Sequence, residues 1–112
     1  MEGKSRGRPA RSEIRQNIVD ILYQSGPLYG YKIHRIYISI FPKITMRSVY
    51  YHLAKGQNTG EIEVDSVKKE KGEYSWGTEV EKTYYKLGRM AQPRENRRVK
   101  EFLSKKKVNK RS

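Results

Sequence analysis

Apolar positions recur at helical spacing through the N-terminal half of the chain. Ile14, Ile18, Ile21 and Leu22 fall on one stripe, widened by Val19, and this period predicts a helix with one buried face. Ser12 precedes the stripe as its N-cap, with Glu13 favourably placed in the first turn. Gly26-Pro27 stops the helix near Ser25. Leu28-Tyr29-Gly30 leads into a second helix with Ile33, Ile36, Tyr37, Ile40 and Phe41 on one face. Pro42 ends it, because the residue before a proline resists the α region. Thr45 is the expected N-cap of a third helix, Met46 to about Asn58. Val49 and Leu53 form its spine, helped by Met46 and Tyr50. Gly56 costs that helix about 1 kcal/mol relative to alanine, so its last turn is expected to fray.

After Gly60 the period changes from helical to alternating. Ile62 and Val64 alternate with Glu61, Glu63 and Asp65, which predicts a strand with one wet face. Lys68-Lys69-Glu70-Lys71-Gly72 reads as a basic turn, with Tyr74 and Trp76 opening the return strand. In the remainder of that strand Val80, Lys82 and Tyr84 alternate with Thr83, Tyr85 and Leu87, and Gly88 closes it. The order is three helices and a β-hairpin, an α+β fold. Residues 92–107 carry Val99, Phe102 and Leu103 at helical spacing. A short helix there needs a partner surface, on this domain or on a second subunit.

Length and composition narrow the class. The 112 residues suit one domain, and 35% apolar content implies a small core. With nine Tyr against two Phe and one Trp, tyrosine is expected to supply much of it. Cysteine is absent, which excludes disulfides and thiolate metal sites. No stretch approaches the roughly 20 apolar residues of a membrane span, and the basic N-terminus lacks the apolar core of a signal peptide. A cytoplasmic location is the expectation.

The formal net charge is +13, the footprint of a polyanion binder. It is unevenly placed: +3 over residues 1–15, +2 over 16–88 and +8 over 89–112. The organisation expected is a flexible basic arm over 1–11, a folded domain over 12–88 and a basic tail over 89–112.

Four pieces in order resemble a known family. Ile21-Leu22-Tyr23-Gln24-Ser25-Gly26-Pro27-Leu28-Tyr29-Gly30-Tyr31-Lys32-Ile33 looks like the helix–turn–helix entry of PadR-like winged-helix regulators. Met46-Arg47-Ser48-Val49-Tyr50-Tyr51-His52-Leu53 resembles their recognition helix. Gly60-Glu61-Ile62 is similar to the start of their wing, and Thr83-Tyr84-Tyr85-Lys86-Leu87 to its aromatic return strand. The resemblance covers about residues 14–90 and implies a winged-helix fold, double-stranded DNA as partner and a role in transcription regulation. It also implies that Tyr50 is a core residue. The chain departs from the pattern at Gly56, where the family usually has Leu, and at Glu61, where it has an apolar residue. Both departures are expected to weaken the helix-to-wing junction. The family commonly adds a C-terminal dimerisation helix, so a homodimer is a candidate partner, with Val99, Phe102 and Leu103 or the first helix as its seam.

In such a domain the third helix enters the major groove, its N-terminal residues facing base edges. That nominates Thr45, Met46, Arg47, Ser48 and Tyr51. Arg47 is the best candidate reader, because a guanidinium pairs bidentately with guanine. Lys55 is a candidate phosphate contact. Lys68, Lys69 and Lys71 at the wing tip would touch the backbone or the minor groove, positioning the protein without specifying sequence. In the arm, Arg6-Gly7-Arg8-Pro9 resembles an AT-hook core. Arg6 and Arg8 would enter a narrow, strongly negative A-tract minor groove.

Catalytic inventory is thin. His34 and His52 are the only histidines, and both are expected at the surface or its boundary. There is no phosphate loop, dinucleotide fingerprint or nucleophile motif, so no enzyme, cofactor or metal is expected. The competing readings are an RNA-binding or ribosome-associated module, since basic chains rich in tyrosine also suit RNA, and an architectural protein that coats DNA without sequence choice.

Overall fold

The computed structural model describes residues 12–71 and 79–111. Helices α1 (Glu13–Ser25), α2 (Gly30–Ile40) and α3 (Met46–Thr59) precede the strands β2 (Ile62–Lys71) and β3 (Glu79–Leu87), and α4 (Arg97–Arg111) follows them. A short strand, β1 (Leu28–Tyr29), lies between α1 and α2. The sheet is antiparallel in the order β1-β3-β2. Three helices with a long hairpin laid beside them make an α+β, winged helix–turn–helix fold. No helix among the described residues is long and apolar enough to cross a membrane.

Local signals set the helix ends. Ser12 Oγ accepts the Arg15 amide at 3.3 Å and Thr45 Oγ1 accepts the Ser48 amide at 3.0 Å, satisfying N–H groups that a helix start leaves open. Gly60 closes α3 at φ 87°, a left-handed conformation that costs glycine little. Strand β1 was not legible in two residues. It exists because Leu28 and Tyr29 pair with Tyr85 and Tyr84 across the sheet.

The core joins all the major elements. Ile18, Ile21 and Leu22 of α1 meet Ile33 of α2, Leu53 of α3, Ile62 of β2 and Val99 of α4. The expectation that tyrosine would fill it is corrected: among the described residues only Tyr37 and Tyr85 are buried, and branched aliphatics do most of the packing. Tyr50 is also corrected. It is 47% exposed and lies over the start of α2, where a Cβ on Gly30 would sit 2.6 Å from its ring.

The junction between α3 and the wing is tighter than its departures from the family pattern suggested. A Cβ on Gly56 would lie 2.6 Å from Ile62 Cδ1, so the missing side chain makes room for a buried isoleucine. Helix α3 continues through Gly56 to Thr59. Glu61, rather than leaving a gap, accepts Arg15 Nε at 2.9 Å and the Thr59 hydroxyl at 2.7 Å.

The hairpin also differs from expectation. Lys68 to Lys71 are not a turn but the outer half of β2, with Lys68 opposite Lys82 and Lys69 opposite Glu81. Tyr74 and Trp76 lie outside the described residues. A register shift between Val64 and Ser66 leaves Asp65 as the extra residue. Because of that bulge Val64 and Val67 share the face of Tyr85 and Thr83, yet both remain more than two-fifths exposed. The wing here has outrun the core it would need to bury them.

The basic tail docks on the domain itself. Val99 is fully buried, and Phe102 and Leu103 are half-buried against the same core. The segment before α4 is tied down by a carboxylate the sequence did not flag. Asp20, fully buried on α1, accepts the Arg94 amide at 2.8 Å, Arg94 Nε at 3.0 Å and Gln16 Nε2 at 3.1 Å. Gln16 also donates to the Gln92 carbonyl at 2.9 Å, and Asn96 accepts the Arg98 amide at the start of α4.

Candidate nucleic-acid interface

The buried positions of α3 are Val49, His52, Leu53 and Gly56. Its opposite side is therefore free of the core. Arg47, Tyr51 and Lys55 follow each other at intervals of four, which places them in one row along that side, and all three are exposed. Thr45 is exposed and Met46 and Ser48 are half-buried at the helix start. All six nominated residues of this helix and its cap thus belong to one element and its N-terminal edge. Tyr51, 56% exposed, rests edge-on against His52 with 5.0 Å between ring centres.

Two contacts hold the helix in place. His34 Nε2 lies 2.7 Å from the Ile44 carbonyl; a carbonyl can only accept, so this nitrogen carries a proton and pins the loop before Thr45. At the other end Arg15 Nη1 lies 3.3 Å from His52 Nδ1 and Arg15 Nε 2.9 Å from Glu61. Arginine can only donate, so His52 Nδ1 is unprotonated. Burial, and then the neighbouring Arg15 charge, hold the His52 pKa below its ordinary value. Helix α1, the recognition-like helix and the wing are joined through this one guanidinium.

The wing lysines separate. Lys68 faces outward with its strand partner Lys82. Lys69, one residue on, points to the other face, as successive strand residues must. Lys71 closes β2, and its side chain lies outside the described residues, as do Arg6 and Arg8.

The outer sheet face holds residues that sequence reasoning missed. Lys82 Nζ sits 4.5 Å from the Tyr29 ring centre and pairs with Glu70 at 2.9 Å. That hydrogen bond raises the Lys82 pKa and lowers that of Glu70. Lys68 Nζ sits 4.8 Å from the Tyr84 ring, and Tyr84 donates to Glu70 at 3.2 Å. The alternation of Val80, Lys82 and Tyr84 had placed two of these on one face; Tyr29 reaches them only because β1 pairs with β3. Among the described residues no group of three or more His, Cys, Asp or Glu is arranged to hold a metal ion.

No family model matches the chain, and no curated protein does either. Solved structures do. A PadR family transcription regulator from hypervirulent Clostridium difficile R20291 is 23% identical, with 83% of this chain and 86% of that one covered and a TM-score of 0.41. A PadR family transcriptional regulator from Eggerthella lenta DSM 2243 is 17% identical, with 87% and 79% covered and a TM-score of 0.43. By its own topology the chain is a winged helix–turn–helix domain, and these two regulators are similar to it.

Proposed function

We propose that the protein binds double-stranded DNA with a sequence preference and regulates transcription, acting in the cytoplasm. The observation that carries this reading is the row of Arg47, Tyr51 and Lys55 on the exposed side of α3, in a chain of net charge +13. Helix α3 enters the major groove, with Arg47 reading a base edge and Ser48 and Tyr51 beside it. Lys55, Lys68, Lys69 and Lys71 contact phosphates. Arg6 and Arg8 enter the adjoining minor groove.

Anisotropy of the protein on AT-rich DNA, GC-rich DNA and duplex RNA of equal length, at three salt concentrations, tests the reading. About six neutralised phosphates give a log–log salt slope near −5. Preference for one DNA sequence that persists at high salt supports groove readout. Equal affinities that collapse together, or tighter binding to RNA, would replace it with a coating or RNA-associated role.

A further inference from the structure

The outer face of the wing sheet has a chemistry that duplex binding does not require. Three tyrosines adjoin there. Tyr29 and Tyr31 are stacked at 24° with 6.4 Å between centres, and Tyr29 and Tyr84 are 5.4 Å apart. Each ring has its own cation: Lys82 at Tyr29, Lys68 at Tyr84, and Arg35 at Tyr31, where Cζ lies 5.9 Å from the ring centre and Nη1 3.2 Å from the hydroxyl. Lys82 is neutralised by Glu70. Arg35 has no carboxylate in ion-pair distance among the described residues, and Tyr31 is 49% exposed. Tyr29 and Tyr31 also line an open cleft of about 300 Å³, which Ile36 of α2 and Phe102 of α4 line with apolar surface and Lys32 and Arg35 with charge.

We propose that this face binds single-stranded DNA, stacking unpaired bases on Tyr31 and Tyr29 and taking the backbone phosphates on Arg35, Lys32 and Lys68. A duplex keeps its base faces inside its own stack, so it would use the lysines and ignore the rings. Unpaired bases offer their faces, and alternating aromatic and basic side chains are how proteins hold such strands without reading sequence. The positive charge selects a polyanion over an apolar ligand. The cleft, with apolar lining and cations, takes one base and its phosphate. A melted or displaced strand beside the duplex bound by α3 is the DNA source that fits a chain reading both. Apart from Lys68 the two surfaces share no residue, and Tyr31 and Arg47 belong to one each, so either can fail alone.

The test is anisotropy of the full chain on a labelled strand of about twelve thymidines, within the usual site size for such surfaces. Its companions are the same backbone without bases, twelve uridines, and a duplex. The wild type is expected to bind the thymidine strand more tightly than the abasic one. Tyr31→Ala should weaken thymidine binding about tenfold and leave abasic and duplex binding unchanged, while Tyr31→Phe retains it. Arg47→Ala should weaken duplex binding alone. Equal wild-type affinity for thymidine and abasic strands would mean phosphate attraction only and would overturn the proposal. So would an unaltered Tyr31→Ala, and tighter binding to uridine would overturn the DNA source.

Discussion

Helices α1 and α3 are nearly the same length, 13 and 14 residues, and both show an apolar stripe behind an N-cap. They put their other sides to opposite use. Helix α1 buries Gln16, Asn17 and Asp20 beside its apolar stripe, so it is enclosed on most of its circumference. Helix α3 buries one side and turns Arg47, Tyr51 and Lys55 to solvent. An amphipathic pattern fixes which side of a helix is apolar, but not whether the polar side meets water or protein. In α1 the answer comes from the segment before α4, which covers the polar side and supplies Arg94 to Asp20. The first helix is therefore a scaffold and the third a presented surface. Substitutions should sort accordingly, into losses of stability and losses of binding.

The largest effect is expected at the buried carboxylate. Arg94→Ala leaves Asp20 charged, buried and short of its cation, and should lower stability by about 3 kcal/mol in urea unfolding. A loss under about 1 kcal/mol would mean that water replaces the guanidinium and that α1 is less enclosed than its packing implies. Next, Gly56→Leu would give α3 a residue of higher helix propensity but drive it into Ile62. Overpacking should win, at a cost of about 2 kcal/mol; a gain in the thermal midpoint would show the junction has slack.

On the presented side, Arg47→Ala should reduce affinity for the preferred duplex by about 1.5 kcal/mol, roughly tenfold, and flatten preference at one base position. Its unfolding curve should stay within about 0.5 kcal/mol of wild type. A comparable loss of stability would erase the distinction between the two helices.

The smallest effect links them. His52 is neutral against Arg15, with a pKa below its ordinary value of 6.5. As pH falls the unfolded chain takes up the proton first, so the stabilisation is complete above about 6.5 and is lost as pH falls through the folded value. Wild type should lose more thermal stability than His52→Gln between about pH 7.5 and 5.5. Parallel curves would remove His52 from the account.

The third helix was the most legible part of the candidate site. Its cap, its spine residues Val49 and Leu53 and its exposed row follow from a period of 3.6, and each needs only neighbours on the same helix. The wing was less legible. A run of lysines and a glycine resembles a turn, but Lys68 and Lys69 are strand residues because Lys82 and Glu81 lie opposite them. That pairing is a property of two distant segments. Tyr50 was misread for the same reason: it packs on Gly30, and only the crossing of α2 and α3 leaves the rest of its ring in solvent.

The amino-acid sequence by itself determined the number and order of the main elements, their caps at Ser12 and Thr45, the apolar stripes and the strong positive charge. These are local or summed properties, set by a few adjacent residues or by counting. Tertiary structure alone decided that Asp20 is buried, that Gly56 seats Ile62, that α4 closes on its own domain, and that Tyr29 joins Tyr84 and two lysines on one outer face. Each of these depends on segments that touch only once the chain is folded. Burial, pairing and desolvation belong to the contact, not to either residue in it.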